Sequence, residues 1–292
     1  MKDFFWSNTI WYILLGVLTV IELIVIFLKT DRVKFVAAFY LTLTGVTLSA
    51  ETVLFIIFRA YYYYPMIIQT SSFDDALAGN LFSQFSLAAT ALLVAVLNLP
   101  NYWIFIFAGI YGLIEELFLM LGIYKHYWYS TWMTLVALPL LFWVAKKYYL
   151  KIFSAIKPGY HYLNIFLGLF SLDVITVLWG FMLSGKQNYT RDFFPDSLGS
   201  PYVMALLYYC FLSITLMTAY FFKLRWEWKA LVILFIYGFN YLAYLQKVIY
   251  LKEGWFFTFS TISVFCMYLS IVFLDRMYKN KPLFAGLTSL DT

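Results

Sequence analysis

Charge is scarce in this chain: only 12% of its 292 residues are Asp, Glu, Lys or Arg, against 64% hydrophobic and 23% aromatic. So few polar side chains cannot cover a soluble domain of this size, and water is not its main solvent. Histidine is nearly missing, and His126 and His161 alone do not make the usual zinc cluster. Both fall at predicted helix ends on opposite membrane faces, where an imidazole reads as an interfacial hydrogen-bonding group. The two cysteines, Cys210 and Cys266, sit inside apolar runs and read as small packed hydrophobes, which argues against a disulfide framework. The chain has no Ser-His-Asp or Cys-His constellation, no Gly-rich phosphate loop and no pair of axial histidines for haem or quinone. It therefore implies no catalytic residues of a standard kind, no metal and no cofactor. A net charge of +5 is too modest to indicate a nucleic-acid partner.

What the chain has is apolar length. Hydropathy and the polar, Pro or Gly punctuation predict spanning helices at 9–28, 35–58, 80–98, 102–123, 130–146, 162–183, 202–222, 230–250 and 255–275. The fold class is thus all-α, a polytopic transmembrane bundle of about nine spans in a single membrane domain with no long linker. The first run exceeds a signal-peptide core, carries Glu22 and lacks a small-residue cleavage site, so it reads as a retained helix.

Orientation follows from the cations, since short loops rich in Lys and Arg stay in the cytoplasm. Thirteen basic residues follow the odd spans, in clusters such as Lys29-Arg32-Lys34 and Lys146-Lys147-Lys151-Lys157, and seven fall on the other side. The N-terminus is expected outside and the C-terminus inside. Aromatic residues gather at both edges, Tyr61 to Tyr64, Tyr127 to Tyr129, Trp255 and Phe256 outside and Trp226 and Trp228 inside, as an interfacial belt against membrane lipids.

Within the spans sit acids. The even-numbered spans carry Glu51, then Glu115 and Glu116, then Asp173, then Asn240, and Glu22 lies in the first. At about 1.5 Å rise per residue, Glu51, Glu115 and Asp173 lie on the order of 24, 20 and 16 Å, and Asn240 roughly 15 Å, from the cytoplasmic helix ends. A polar layer from mid-membrane to the outer leaflet forms if these helices face one another, with a two-helix repeat as its source. Arg59 and Lys125, at the outer ends, would shape its mouth. An acid away from water and cations favours its neutral form, which can bond helix to helix or pass a proton. Two adjacent acids cannot face one partner, so one of the Glu115-Glu116 pair should face a cavity or another protein.

Glu115-Glu116 resembles the start of the Glu-Glu-x-x-x-Arg motif of the CPBP intramembrane proteases, but Met120 stands where that family has Arg and no later span supplies a His. A broader likeness covers the first half. Ile114-Glu115-Glu116, Tyr127 to Thr134 and Lys146-Lys147-Tyr148-Tyr149 resemble the last two helices of a family of small uncharacterised integral membrane proteins of Gram-positive spore-forming bacteria. That resemblance implies a multi-pass protein of the bacterial plasma membrane, a family-like half at 1–155 and a C-terminal four-helix extension at 156–292. It brings no activity.

Three readings stay open. The first is proton- or ion-coupled transport along Glu51, Glu115, Glu116 and Asp173, with Glu116 as the residue whose neutralisation stops flux. The second is a scaffold or assembly partner for another membrane protein, its acids serving as interhelical hydrogen bonds. The third is an intramembrane lipid-processing enzyme, which a lateral opening beside paired acids would favour. Pro139 is the only proline deep in a span, so the broken-helix signature of many carriers is absent.

Overall fold

A bilayer core offers a backbone no hydrogen-bonding partners, so apolar runs of about twenty residues become helices that satisfy themselves. The computed structural model describes residues 4–68, 71–154, 156–175, 184–190 and 199–279. In chain order the helices are α1 (Ile10–Leu28), α2 (Val33–Glu51), α3 (Ser72–Val96), α4 (Asn101–Met120), α5 (Thr131–Ser154), α6 (Pro158–Leu172), α7 (Ser200–Phe221), α8 (Trp226–Leu245) and α9 (Phe256–Lys279). Eight of these, all but α6, are long and apolar enough to cross a membrane among the described residues. The expected continuation of the sixth span through 183 lies partly outside them.

The boundaries differ where charge misled hydropathy. α3 begins at Ser72, eight residues before the predicted span, because the Ser71 hydroxyl accepts the Asp74 amide and Asp74 and Asp75 fill the first turn, where carboxylates suit the helix dipole. Asp75 also accepts the backbone amides of Met66, Ile67 and Ile68, which ties down the preceding loop. α5 runs to Ser154, eight residues past the predicted end, since Lys and Tyr stems continue the helix while their polar tips reach outward.

Four short strands were not expected. β1 (Tyr61–Tyr63) pairs antiparallel with β2 (Tyr124–His126), and β3 (Gln187–Tyr189) with β4 (Ile249–Leu251). Each ribbon joins the loop after one even-numbered helix to the loop after the next, so the belt aromatics of Tyr61 to Tyr63 are also ladder residues. The N-terminal end of α1 meets the first ribbon region, where Asn8 and Thr9 donate to the carbonyls of Tyr64 and Pro65.

The chain repeats itself at an interval of 125 residues that spans four helices, and within each interval a helix–strand–helix order occurs twice. α2, α4 and α5 begin at Val33, Asn101 and Thr131; α6, α8 and α9 begin at Pro158, Trp226 and Phe256, each 125 residues later. α3 and α7 end at Val96 and Phe221, the same interval apart, and the left-handed residue that turns each chain back is Asn98 (φ 47°) or Lys223 (φ 48°). β1 and β3 fill the same place. α1 stands outside the repeat and packs along α3.

The two units meet where α2 crosses α6. Thr42 donates to the carbonyl of Asn164, Ser171 to that of Leu41, and a Cβ on Gly45 would lie 2.0 Å from the Leu167 carbonyl oxygen. Small residues allow this approach because lipid supplies no hydrophobic drive between helices and close contact has to do the work. Gly45→Val should destabilise the fold by about 3 kcal/mol. Gly109→Ala, where the added carbon meets nothing within 4 Å, should be neutral or mildly stabilising. Thermal unfolding in detergent reads both, and a Gly45→Val protein as stable as the parent would refute this packing.

Candidate functional site

Glu51 ends α2 at the point where the helix widens into a π-turn, Thr52–Ile57, a local unwinding that often accompanies functional groups. The Tyr61 hydroxyl of β1 donates to its Oε1 at 2.6 Å and the Gln84 amide of α3 donates to the same oxygen at 2.7 Å; the Asn80 amide donates to Oε2. All three partners donate, which is the pattern an ionised carboxyl requires. Asn80 and Gln84 are one helical turn apart on α3, so a single face of that helix presents both amides.

Glu115, on α4, accepts from the Thr134 hydroxyl of α5 and lies 2.7 Å from His126 Nε2 of β2. Since Thr134 gives its proton to Glu115, Tyr129, 3.0 Å away, must donate to Thr134. The His126 side chain is 17% exposed and that of Glu115 is 10% exposed, so both members of the pair are largely shielded. His126, read from the sequence as an interfacial surface residue, is part of the site; the ribbon brings it back under Glu115.

Glu51 and Glu115 line one chamber of about 250 Å³ enclosed by α1 to α5 and the first ribbon. Its remaining walls are largely alkyl and aromatic, including Tyr61, Tyr63, Tyr111, Tyr124 and Tyr129. The chamber is not sealed: Ala50 of α2 and Ala137 of α5 on its wall are exposed, and both lie in helices long and apolar enough to cross a membrane. Comparison with protein-family models, curated proteins and solved structures finds no match.

The other expected residues are placed as follows. Glu22 is buried on α1 and accepts from the Thr90 hydroxyl at 2.7 Å. Glu116 is exposed and does not line the chamber, so the member of the acid pair that faces inward is Glu115. Asp173 begins a second π-turn at residues 173–175, one helical turn before the position equivalent to Glu51, and accepts weakly from Ser213 at 3.5 Å. Asn240 is the equivalent of Glu115 in the second unit and donates to Ser260 at 3.0 Å. Neither lines the chamber, so the acids of the even helices do not share this one cavity. Arg59 borders a second cavity of about 380 Å³ at the strand end, which shares Tyr61 with the chamber. Lys125 sits opposite Tyr62 in the ladder with its ammonium 5.3 Å from the Tyr127 ring centre. Among the described residues no three of His, Cys, Asp and Glu converge as metal ligands.

Burial pushes the phenols of Tyr61, Tyr63 and Tyr124 well above the ordinary tyrosine range, and for Tyr61 the charge of Glu51 adds to the same direction. The folded state therefore favours the protonated phenols. Their contribution to stability is complete below the unfolded value of about 10 and declines as pH rises past it. In a spectrophotometric titration these three should ionise only together with loss of the helical signal. Ionisation near pH 10 in an intact protein would show them to be solvated.

Proposed function

We propose that the chain is an intramembrane enzyme that takes the end of an apolar, unsaturated lipid into the chamber and moves its double bonds by proton transfer. The observation that carries this reading is one chamber, mostly hydrocarbon-walled, in which two carboxyls in different hydrogen-bond settings share a ring of tyrosines. A coupled transporter would need a polar route continuing toward both faces. Here the polar groups of the second unit lie elsewhere, and exposed Ala50 and Ala137 support entry from the bilayer.

The chemistry follows from the partners. Glu115, with His126 behind it toward the surface, suits a general acid that is recharged from outside. Its proton forms a C–H bond to one alkene carbon, the π bond breaks, and the cation appears on the other carbon. That cation is reachable where the carbon is trisubstituted, as in isoprenoid chains, and electron-rich tyrosine faces stabilise it by about 2 kcal/mol or more each when desolvated. The cation adds to a neighbouring double bond or shifts. A C–H bond beside the final cation then breaks, and Glu51, whose partners all donate, receives the proton. Nothing is oxidised or reduced, and the product is an isomer of the substrate. For Asp173 and Asn240, bonded to serines of neighbouring helices, we propose the role of interhelical locks.

The test uses purified protein in lipid nanodiscs containing a linear polyisoprenoid hydrocarbon, incubated in deuterium oxide. Mass spectrometry of the recovered hydrocarbon should show deuterium at unchanged hydrogen-plus-deuterium count. Glu115→Gln and Glu51→Gln should each lower the rate by about a hundredfold or more. Glu116→Gln should leave it unchanged. No deuterium in any polyisoprenoid hydrocarbon, from acyclic C30 to C40 chains, would remove the reading.

A further inference from the structure

Tyr111 lines the chamber one helical turn from Glu115 on α4, and its hydroxyl leads away from it. It lies 2.8 Å from Thr90 Oγ1, whose own proton goes to Oε1 of Glu22 at 2.7 Å. While Oε1 of Glu22 is the acceptor, Thr90 spends its single proton there, Tyr111 donates to Thr90, and Ser86, 2.7 Å from Tyr111, donates to Tyr111; with a proton on Oε1 the Thr90 and Tyr111 donors reverse. In the first of these states the protons of Tyr111 and Thr90 point toward Glu22. Oε2 of Glu22 is buried and has no hydrogen bond among the described residues, so this end of the chain is unsatisfied.

The arrangement belongs to the first unit alone. The positions equivalent to Ser86, Thr90 and Tyr111 in the second unit are Phe211, Thr215 and Ile236, and there the threonine hydroxyl bonds back to the Phe211 carbonyl of its own helix. Glu22 itself comes from α1, the one helix without a counterpart. A helix outside the repeat thus places a third acid behind the chamber wall, separated from it by the hydroxyls of Thr90 and Tyr111.

We propose that Glu22 is the proton reservoir of the chamber, connected to it by Thr90 and Tyr111. In one pass Tyr111 gives its proton to Thr90, Thr90 gives its own to Oε1 of Glu22, and Glu115, one helical turn away on α4, restores Tyr111 once its carboxyl swings to the phenol oxygen. Glu22 then carries the proton, and the reverse sequence returns it. Each hydroxyl gains one proton for the one it loses. The role rests on the chamber being a place of proton chemistry, and it gives Glu115 an internal store of protons beside the outward route through His126.

Infrared difference spectroscopy of the full chain in lipid nanodiscs tests the relay without a substrate. A carboxylic-acid C=O band should be present in the parent and missing in Glu22→Gln, and it should shift as deuterium oxide exchanges its proton. Tyr111→Phe and Thr90→Val, which keep shape and remove one hydroxyl, should slow that shift by about a hundredfold. Thr90→Ser should restore the parent rate, and Ser86→Ala, off the route, should not change it. Parent-rate exchange in both Tyr111→Phe and Thr90→Val, or no acid band lost in Glu22→Gln, would overturn the proposal. Failure of hydrocarbon labelling with the relay intact would remove the reaction and leave the relay standing.

Discussion

A carboxyl inside an apolar layer has to be met by donors from other helices, because water is not there to meet it. Glu51 draws two amides from α3 and a phenol from β1, and in doing so it fixes three elements around one side chain. The phenol reaches it only because β1 pairs with β2, and β2 in turn delivers His126 to Glu115. The chamber, its tyrosine walls and the setting of its second acid all follow from solving the problem that the first acid poses. Removing Glu51 would leave Asn80, Gln84 and Tyr61 as unpaired polar groups in the same place, so the cluster is held mutually.

Repetition explains the frame and asymmetry explains the site. Two four-helix units of the same order, joined at the α2–α6 crossing, each carry a π-turn beginning at or beside an acid and a two-stranded ribbon. Parallel repeats of this kind recur in membrane proteins. The units then diverge in chemistry. Where the first has Glu115 and His126, the second has Asn240 and Leu251, groups that pack and bond but do not exchange a proton at ordinary pH. Charge at the opposite end of the bundle is likewise local: Asp275 accepts from His161, Tyr220 and Lys279, so the second histidine also has a carboxyl partner.

Much of this was legible from residues alone. Lengths of apolar sequence specify spanning helices because backbone groups in lipid can be satisfied only within their own segment, and no tertiary partner is needed for that argument. The presence of acids in spans was equally plain. Asn80 and Gln84, four residues apart in an apolar run, also gave a signal of a polar face, one that a hydropathy reading passes over. His126 gave none, since its eleven-residue distance from Glu115 has meaning only once the chain has turned at Gly122 and paired with β1.

The sequence by itself determined that this is an all-α membrane bundle and that a few acids lie within its apolar runs. Tertiary structure decided which acids meet. Glu115 and Glu116 are chemically identical neighbours, and a rotation of about 100° per residue puts one in the chamber and the other outside it. The rotation of each helix about its axis is set by packing against the others, through contacts such as Gly45 on Leu167, and a hydropathy profile carries no record of it.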